Sequence, residues 1–317
     1  MNFQPVDRLP CIEWAVWWDK TIERWKSEGL AESLNDPFEI SQYFGLDPYK
    51  QFYLPPTKSK FRNDNEGDKI VTCMDDYVNI KSRLFHDYDF KFLHSWEDEQ
   101  KLGRAVIWIT LEGFFWFPRT LFGIERHMYS FYDHAELLHK MNSDICEYHI
   151  SLLKKMSKFC RPTFMTFAED MSYNNGPMLS EKLFKDFIAP YYLRLIPLIK
   201  ELNIIPFIDS DGNVEQMIPW LEEVGVAGIL PLERRAGVNA QEIRDKHSKW
   251  LMIGHFDKTV MSQGEHEIKN EFERLQPLMD KGGFIPSVDH QTPPDVSLEQ
   301  YKYYVCLLKE FCSLNVS

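Results

Sequence analysis

Carboxylates recur at the ends of short apolar runs in this chain. Glu13 lies within the run 10–16, and Glu112 follows the run 105–111. Glu169 and Asp170 follow 163–167, Asp209 and Asp211 follow 204–208, and Glu233 follows 226–232. Asp257 comes just after 251–254, and Asp289 with His290 ends 283–288. Carboxyl groups gathered in one place raise each other's pKa, so one of them holds a proton, meets a base or binds a cation. That is the equipment of general acid–base or Lewis-acid chemistry. Taken singly, an Asp at a strand end is more often a helix cap or a turn residue, and Asp211-Gly212 is a good turn by itself. Glu169 and Glu233 are harder to read that way, because Glu is a poor turn former. His290 precedes Thr292-Pro293-Pro294, a stiff loop that would hold an imidazole at the same face. Another histidine, His255, reads as structural.

For these ends to meet, the runs must be parallel strands opening on one face. Stretches of helical period separate them: 180–202, started by the capping residue Ser180, then 217–224, ended by Gly225, and 298–311. Strand–helix alternation predicts a parallel α/β sheet. Seven strand candidates are clear, and an eighth is expected within the irregular N-terminal third. No GxGxxG turn marks a doubly wound sheet. The expected fold is therefore a (β/α)8 TIM barrel over residues 1–317, a single domain with an irregular insert at about 55–81. In that insert, 55–68 reads as a polar lid and 69–81 as a short hairpin turning at Asp75-Asp76.

Composition narrows the partners. The 317 residues include 44% hydrophobic and 15% aromatic residues, enough for a large core, and the net charge is −12. An acidic surface repels phosphate backbones, so nucleic acid is not an expected partner. No apolar run is long enough to span a membrane, and no signal-peptide pattern starts the chain. The six cysteines form no CxxC pair and are expected to be buried free thiols in a cytoplasmic protein. Trp14, Trp17, Phe114, Phe115 and Trp116 are candidates for an apolar pocket wall as well as for ordinary core.

Several of these segments together resemble the uroporphyrinogen decarboxylase superfamily. They are 3–10 (FQPVDRLP), 167–171 (FAEDM), 176–180 (GPMLS), 209–213 (DSDGN), 254–258 (GHFDK) and 282–286 (GGFIP), followed by Asp289-His290. The resemblance runs over nearly the whole chain and implies a TIM barrel and a homodimer. It implies catalytic roles for Glu169, Asp211, Asp257 and His290, and substrate contacts for Glu13, Trp14, Trp17, Phe115 and Asp289. The true decarboxylases hold substrate carboxylates with an Arg-x-x-x-Arg segment near the N-terminus. Here Arg8 is followed by Glu13, Trp14, Trp17 and Trp18. The cobalamin-linked methyltransferases of the superfamily carry zinc on a His-x-Cys pair and a late Cys. Asp209 and Asp211 stand at the first two positions, and Asp289 or His290 at the late one. The resemblance then implies an oxygen-rich zinc site built from Asp209, Asp211, Glu233 and His290. The expected function is methyl transfer between a small methylated substrate and a corrinoid (cobalamin) carried on a partner protein. Decarboxylation of a porphyrinogen-like tetrapyrrole and a non-catalytic corrinoid- or ligand-binding barrel are the alternatives.

Overall fold

Tyr49–Leu54 (β1), Val106–Glu112 (β2), Phe164–Ala168 (β3), Ile205–Asp209 (β4), Gly228–Leu230 (β5), Leu251–Phe256 (β6) and Phe284–Val288 (β7) form one seven-stranded sheet in the computed structural model. The structure describes residue 3, residues 6–58 and residues 70–314. Every neighbouring pair is parallel, and the strands lie side by side in chain order. Helices fill each crossover, as parallel strands require. In β2 six consecutive residues are buried, as expected of a strand covered on both faces.

The sheet is curled. Trp108 of β2, Phe207 of β4, Leu230 of β5, Leu251 and Ile253 of β6 and Ile285 of β7 form one buried cluster, and Tyr49 of β1 and Phe164 of β3 pack against it. Side chains from all seven strands meet only if one face wraps around on itself. A larger core fills the space between the outer face and the helices. Helix Ala135–Met156 shows how the helices contribute: Leu138, Met141, Ile145, His149, Leu152 and Met156 recur at helical spacing and are all buried.

The N-terminal run at 10–16 is not a ladder strand. Burial alternates from Cys11 to Ala15, with Cys11, Glu13 and Ala15 buried and Ile12 and Trp14 half-buried. This extended segment lies between the first and last strands. Its Cys11 amide donates to Asp47 Oδ2 at 2.8 Å, and its Trp14 amide donates to Ser287 Oγ at 3.2 Å. The eighth strand expected in the N-terminal third is Tyr49–Leu54.

Three expectations change. The stretch expected to be a hairpin holds helix Met74–Leu84, with Tyr77 and Leu84 buried. Asp75 and Asp76 lie in its first turn, where acidic side chains favour a helix N-terminus. The long helix from Ser180 breaks into Glu181–Phe187 and Ala189–Glu201. Pro190 lacks the amide that a continuous helix would need, while Ser180 caps the first piece as expected, accepting from the Leu183 amide at 3.3 Å. Cys73 and Cys306 are exposed, and the other four cysteines are buried. The lid expected at 55–68 lies outside the described residues from position 59 onward. Among the described residues no helix is long and apolar enough to cross a membrane.

Candidate active site

The carboxyl ends of the strands form an acidic mouth, and the backbone there is strained. Asp170 just past β3, Leu232 just past β5 and His255 within β6 take φ values of 38°, 64° and 68°. Non-glycine residues rarely adopt positive φ, and such strain gathers at functional sites.

Glu169 anchors one side of the mouth from beneath. It has no solvent exposure. Oε1 accepts the Phe114 amide at 2.8 Å and the Tyr192 hydroxyl, and Oε2 accepts the Phe115 and Trp116 amides at 2.8 and 3.1 Å. The loop after β2 is thereby fixed, and Gly113 is required there, since a Cβ would lie 2.0 Å from the Glu169 carboxyl carbon. Burial pushes the Glu169 pKa up to about 7 against the pull of these donors. Its four acceptor positions are filled, so the geometry gives it a positioning role rather than contact with a substrate. The Phe115 ring packs on His127 at 4.6 Å, in the core and away from the mouth.

Asp209, Asp170 and Asp211 form the acidic centre. Asp170 Oδ1 accepts the Asp211 amide at 3.3 Å. Burial, then Asp170 and Asp211, hold Asp209 well above the ordinary carboxylate range. Burial, then Asp170 and Glu233, push Asp211 up to about 7, while the Lys258 ammonium draws it down. Glu233 Oε2 accepts the Gly212 amide at 2.7 Å. Gly212 has φ +82°, and a Cβ there would come within 2.7 Å of the Tyr173 backbone, so this turn is closed to larger residues.

Across the mouth, His290 Nε2 lies 3.7 Å from Asp211 Oδ2. The two side chains keep 31% and 42% exposure, so the pair faces open space. His290 Nδ1 is buried without a hydrogen-bond partner. Burial lowers the His290 pKa, and Lys258 adds to this, so the imidazole is neutral at neutral pH. Trp14 stands edge-on to this ring, 6.4 Å between centroids, and is pinned by Nε1 donating to the Val288 carbonyl at 2.6 Å.

Asp289 and Asp257 position the surrounding loops. Asp289 accepts the Arg234 amide at 3.1 Å and the Lys258 amide at 3.3 Å, and burial pushes its pKa up to about 6. Asp257 caps the turn that follows, accepting from the Thr259 amide at 2.9 Å and hydroxyl at 2.6 Å, and it pairs with Arg235 at 2.9 Å. Its two oxygens are thus engaged by Thr259 and Arg235. Glu13 faces the helix layer: it accepts from the Ser287 hydroxyl at 2.6 Å and the Tyr301 hydroxyl at 3.1 Å, and burial raises it to about 7. Trp17 packs on Trp25 and Tyr301 in the core. His255 Nδ1 donates to the Leu232 carbonyl at 2.9 Å, and burial lowers its pKa to about 3, which fits the structural role read from the sequence.

A model of the family described as uroporphyrinogen decarboxylase (URO-D) matches residues 120–311, more than half of the chain. The chain belongs to the URO-D family. The matched region carries the strand ends from Glu169 to His290. A methyltransferase from Methanosarcina mazei has the same fold, with 15% identity and a TM-score of 0.65 over 97% of this chain and 95% of that one. A B12-independent methionine synthase from a Shewanella species, in complex with selenomethionine, is 14% identical with a TM-score of 0.54, over 99% of this chain and 95% of that one. No curated protein matches the chain.

Two further residues stand at the mouth. Lys258 acts on Asp211, Asp289 and His290 at once. Arg119 stacks over Trp116 at 4.7 Å and donates to the Asp170 carbonyl at 3.3 Å. The string GHFDK carried the signal for Lys258, since a residue next to a strand-end acid shares its loop. Of the expected zinc ligands, Glu233 accepts the Gly212 amide on Oε2, and among the described residues no three His, Cys, Asp or Glu side chains are grouped as a metal site would be.

Proposed function

We propose that this URO-D family member is a methyltransferase whose Asp211 supplies a proton to the leaving heteroatom of a small O- or N-methylated substrate. The single observation that carries this reading is the Asp211–His290 pair, 3.7 Å apart at an open mouth, with Asp211 raised to about 7. A methyl ether or amine leaves poorly unless its heteroatom is protonated as the carbon is attacked, and a group with pKa near the working pH does this best. Burial and repulsion from the Asp170 and Glu233 carboxylates keep the proton on Asp211 against the pull of the Lys258 ammonium. The neutral His290 imidazole orients the substrate heteroatom or its departing hydroxyl through a hydrogen bond. Trp14 closes the wall beside it.

The partially exposed pair fits an acceptor too large to be enclosed, approaching on a partner protein. A reduced corrinoid in that position would supply the nucleophile that takes the methyl group. Within the same proposal, residues 11–15 stand in for the eighth barrel strand, joining β7 to β1 through side-chain bonds and one Asp47–Cys11 backbone bond rather than a ladder. The test is methyl transfer from a panel of methyl ethers and methylamines to free reduced cobalamin, followed by its absorbance change. Turnover with at least one of them supports the reading, and none with any of them, in wild type of verified fold, contradicts it.

One observation favours a second reading, decarboxylation. Lys258 offers a cation beside Asp211 and Asp289 that would hold a substrate carboxylate, and Asp211 would then protonate the carbon that loses carbon dioxide. Carbon dioxide release from a carboxylated pyrrole, with no methyl transfer, would select it.

A further inference from the structure

A cavity of about 420 Å³ lies where β1 passes the N-terminal extended segment. Its walls include Trp17, Phe38, Ser41, Tyr49, Gln51 and Trp96. Lys50 lines it as well. Successive strand residues point to opposite faces, so Lys50 belongs to the outer face of β1 and Tyr49 and Gln51 to the inner one. The hydrogen bonds agree. Gln51 Nε2 donates to Thr110 Oγ1 at 3.2 Å, and Thr110 Oγ1 lies 2.8 Å from Thr166 Oγ1, inside the curl. Thr110 and Thr166 are buried, yet Gln51 is exposed. A cavity touching both faces of β1 and baring an inward residue is a slit through the wall of the sheet.

The slit offers aromatic side chains, the Ser41 hydroxyl and the Gln51 amide; the Lys50 ammonium lies over the Phe38 and Trp96 rings at 5.8 and 5.5 Å, and no charge is in need of a partner. Lys50 is paired with Glu99 at 2.7 Å. Asp36 caps helix Pro37–Tyr43, accepting the Phe38 and Glu39 amides at 2.9 and 3.2 Å. Glu13 is satisfied by Ser287 and Tyr301. A charged ligand would shed its water here and gain no new counter-charge. A flat uncharged ring would lie on aromatic faces at little cost, and the volume is in the range of small-molecule sites. Among the described residues the Gln51 side chain makes one hydrogen bond, to Thr110, which leaves its carbonyl oxygen and second N–H for a ligand.

We propose that this slit binds an uncharged, flat aromatic molecule with one small hydrogen-bonding substituent, a compound of the phenol class. The ring lies among Trp17, Tyr49 and Trp96, beside the Lys50 ammonium, and the substituent meets the Gln51 carboxamide. The site is separate from Asp211 and does not depend on the methyl-transfer reading.

Calorimetric titration of the full chain with phenol tests this, with benzoate as the charged control and cyclohexanol as the non-planar one. Phenol saturates one site, and both controls bind on the order of tenfold more weakly. Gln51→Leu weakens phenol about tenfold by removing the hydrogen bond. Ser41→Trp, which fills the slit, abolishes binding, and Asp211→Asn leaves it unchanged. If Ser41→Trp does not fold, Gln51→Leu at the exposed position carries the test. Absence of saturation, equal affinity in Gln51→Leu, or loss of binding in Asp211→Asn overturns the proposal.

Discussion

Asp211 and His290 stand 3.7 Å apart although β4 and β7, which deliver them, are separated by two intervening strands. Only the curl of the sheet brings these ends together, so the pair is a product of the fold rather than of local sequence. Because Asp211 is pushed up to about 7, it is half protonated at neutral pH. The proposed activity therefore declines above about pH 7 as the proton is lost. Asp211→Asn is expected to lower kcat by ~10²–10⁴ and to remove that alkaline limb. A kcat–pH profile for the two proteins checks both.

Lys258 and Glu233 pull that limb in opposite directions. Lys258 lowers the Asp211 pKa and Glu233 raises it. Lys258→Met is therefore expected to move the alkaline limb to higher pH, and Glu233→Gln to lower pH, each by about half a unit. Glu233→Gln keeps an oxygen for the Gly212 amide, so its melting temperature should stay near that of wild type. A limb that moves the same way in both variants would show that it does not report Asp211.

The same raised pKa has a cost in stability with a definite sign. In the folded chain Asp211 holds its proton to higher pH than in the unfolded chain. Folding is therefore penalised increasingly as pH rises from about 4 to about 7, and constantly above that. Asp211→Asn is expected to melt higher than wild type at pH 8 and to match it near pH 4. Asp211 is partly exposed, so solvent screening keeps the difference small. Calorimetric melts at the two pH values measure it.

Glu169 carries a structural prediction. Its two oxygens accept four hydrogen bonds, from the Phe114, Phe115 and Trp116 amides and the Tyr192 hydroxyl. Glu169→Gln turns an amide N–H₂ toward donors, at an expected cost of about 2–4 kcal/mol. Gly113→Ala forces the same contact from the other side and should cost at least about as much. Urea unfolding of both variants tests this. An unchanged midpoint for Glu169→Gln would free the residue for a direct role in the reaction.

The sequence made the parallel strands legible because each is a short apolar run ending in an acid, and six of the seven runs became sheet strands. The first run did not, since the segment around Glu13 bonds through the side chains of Asp47 and Ser287, which periodicity does not reveal. Tyr49–Leu54 was hard to see because Lys50 and Gln51 interrupt its apolar character. The strand ends were also legible as an acidic set, but not the division of labour within it. Glu169 and Glu13 spend their oxygens on backbone amides and hydroxyls from distant parts of the chain, and Asp257 spends its own on Thr259 and Arg235. Asp211 and His290 keep open space in front of them, and no spacing rule encodes exposure.

The most direct test of the central claim uses two methyl donors with reduced cobalamin as acceptor. One is a methyl ether, whose oxygen must be protonated to leave. The other is a methylsulfonium compound, which leaves as a neutral sulfide and needs no proton. If Asp211 is the proton donor, Asp211→Asn loses the ether reaction and keeps the sulfonium reaction near the wild-type rate. An equal fall in both reactions, or no effect on either, contradicts the account.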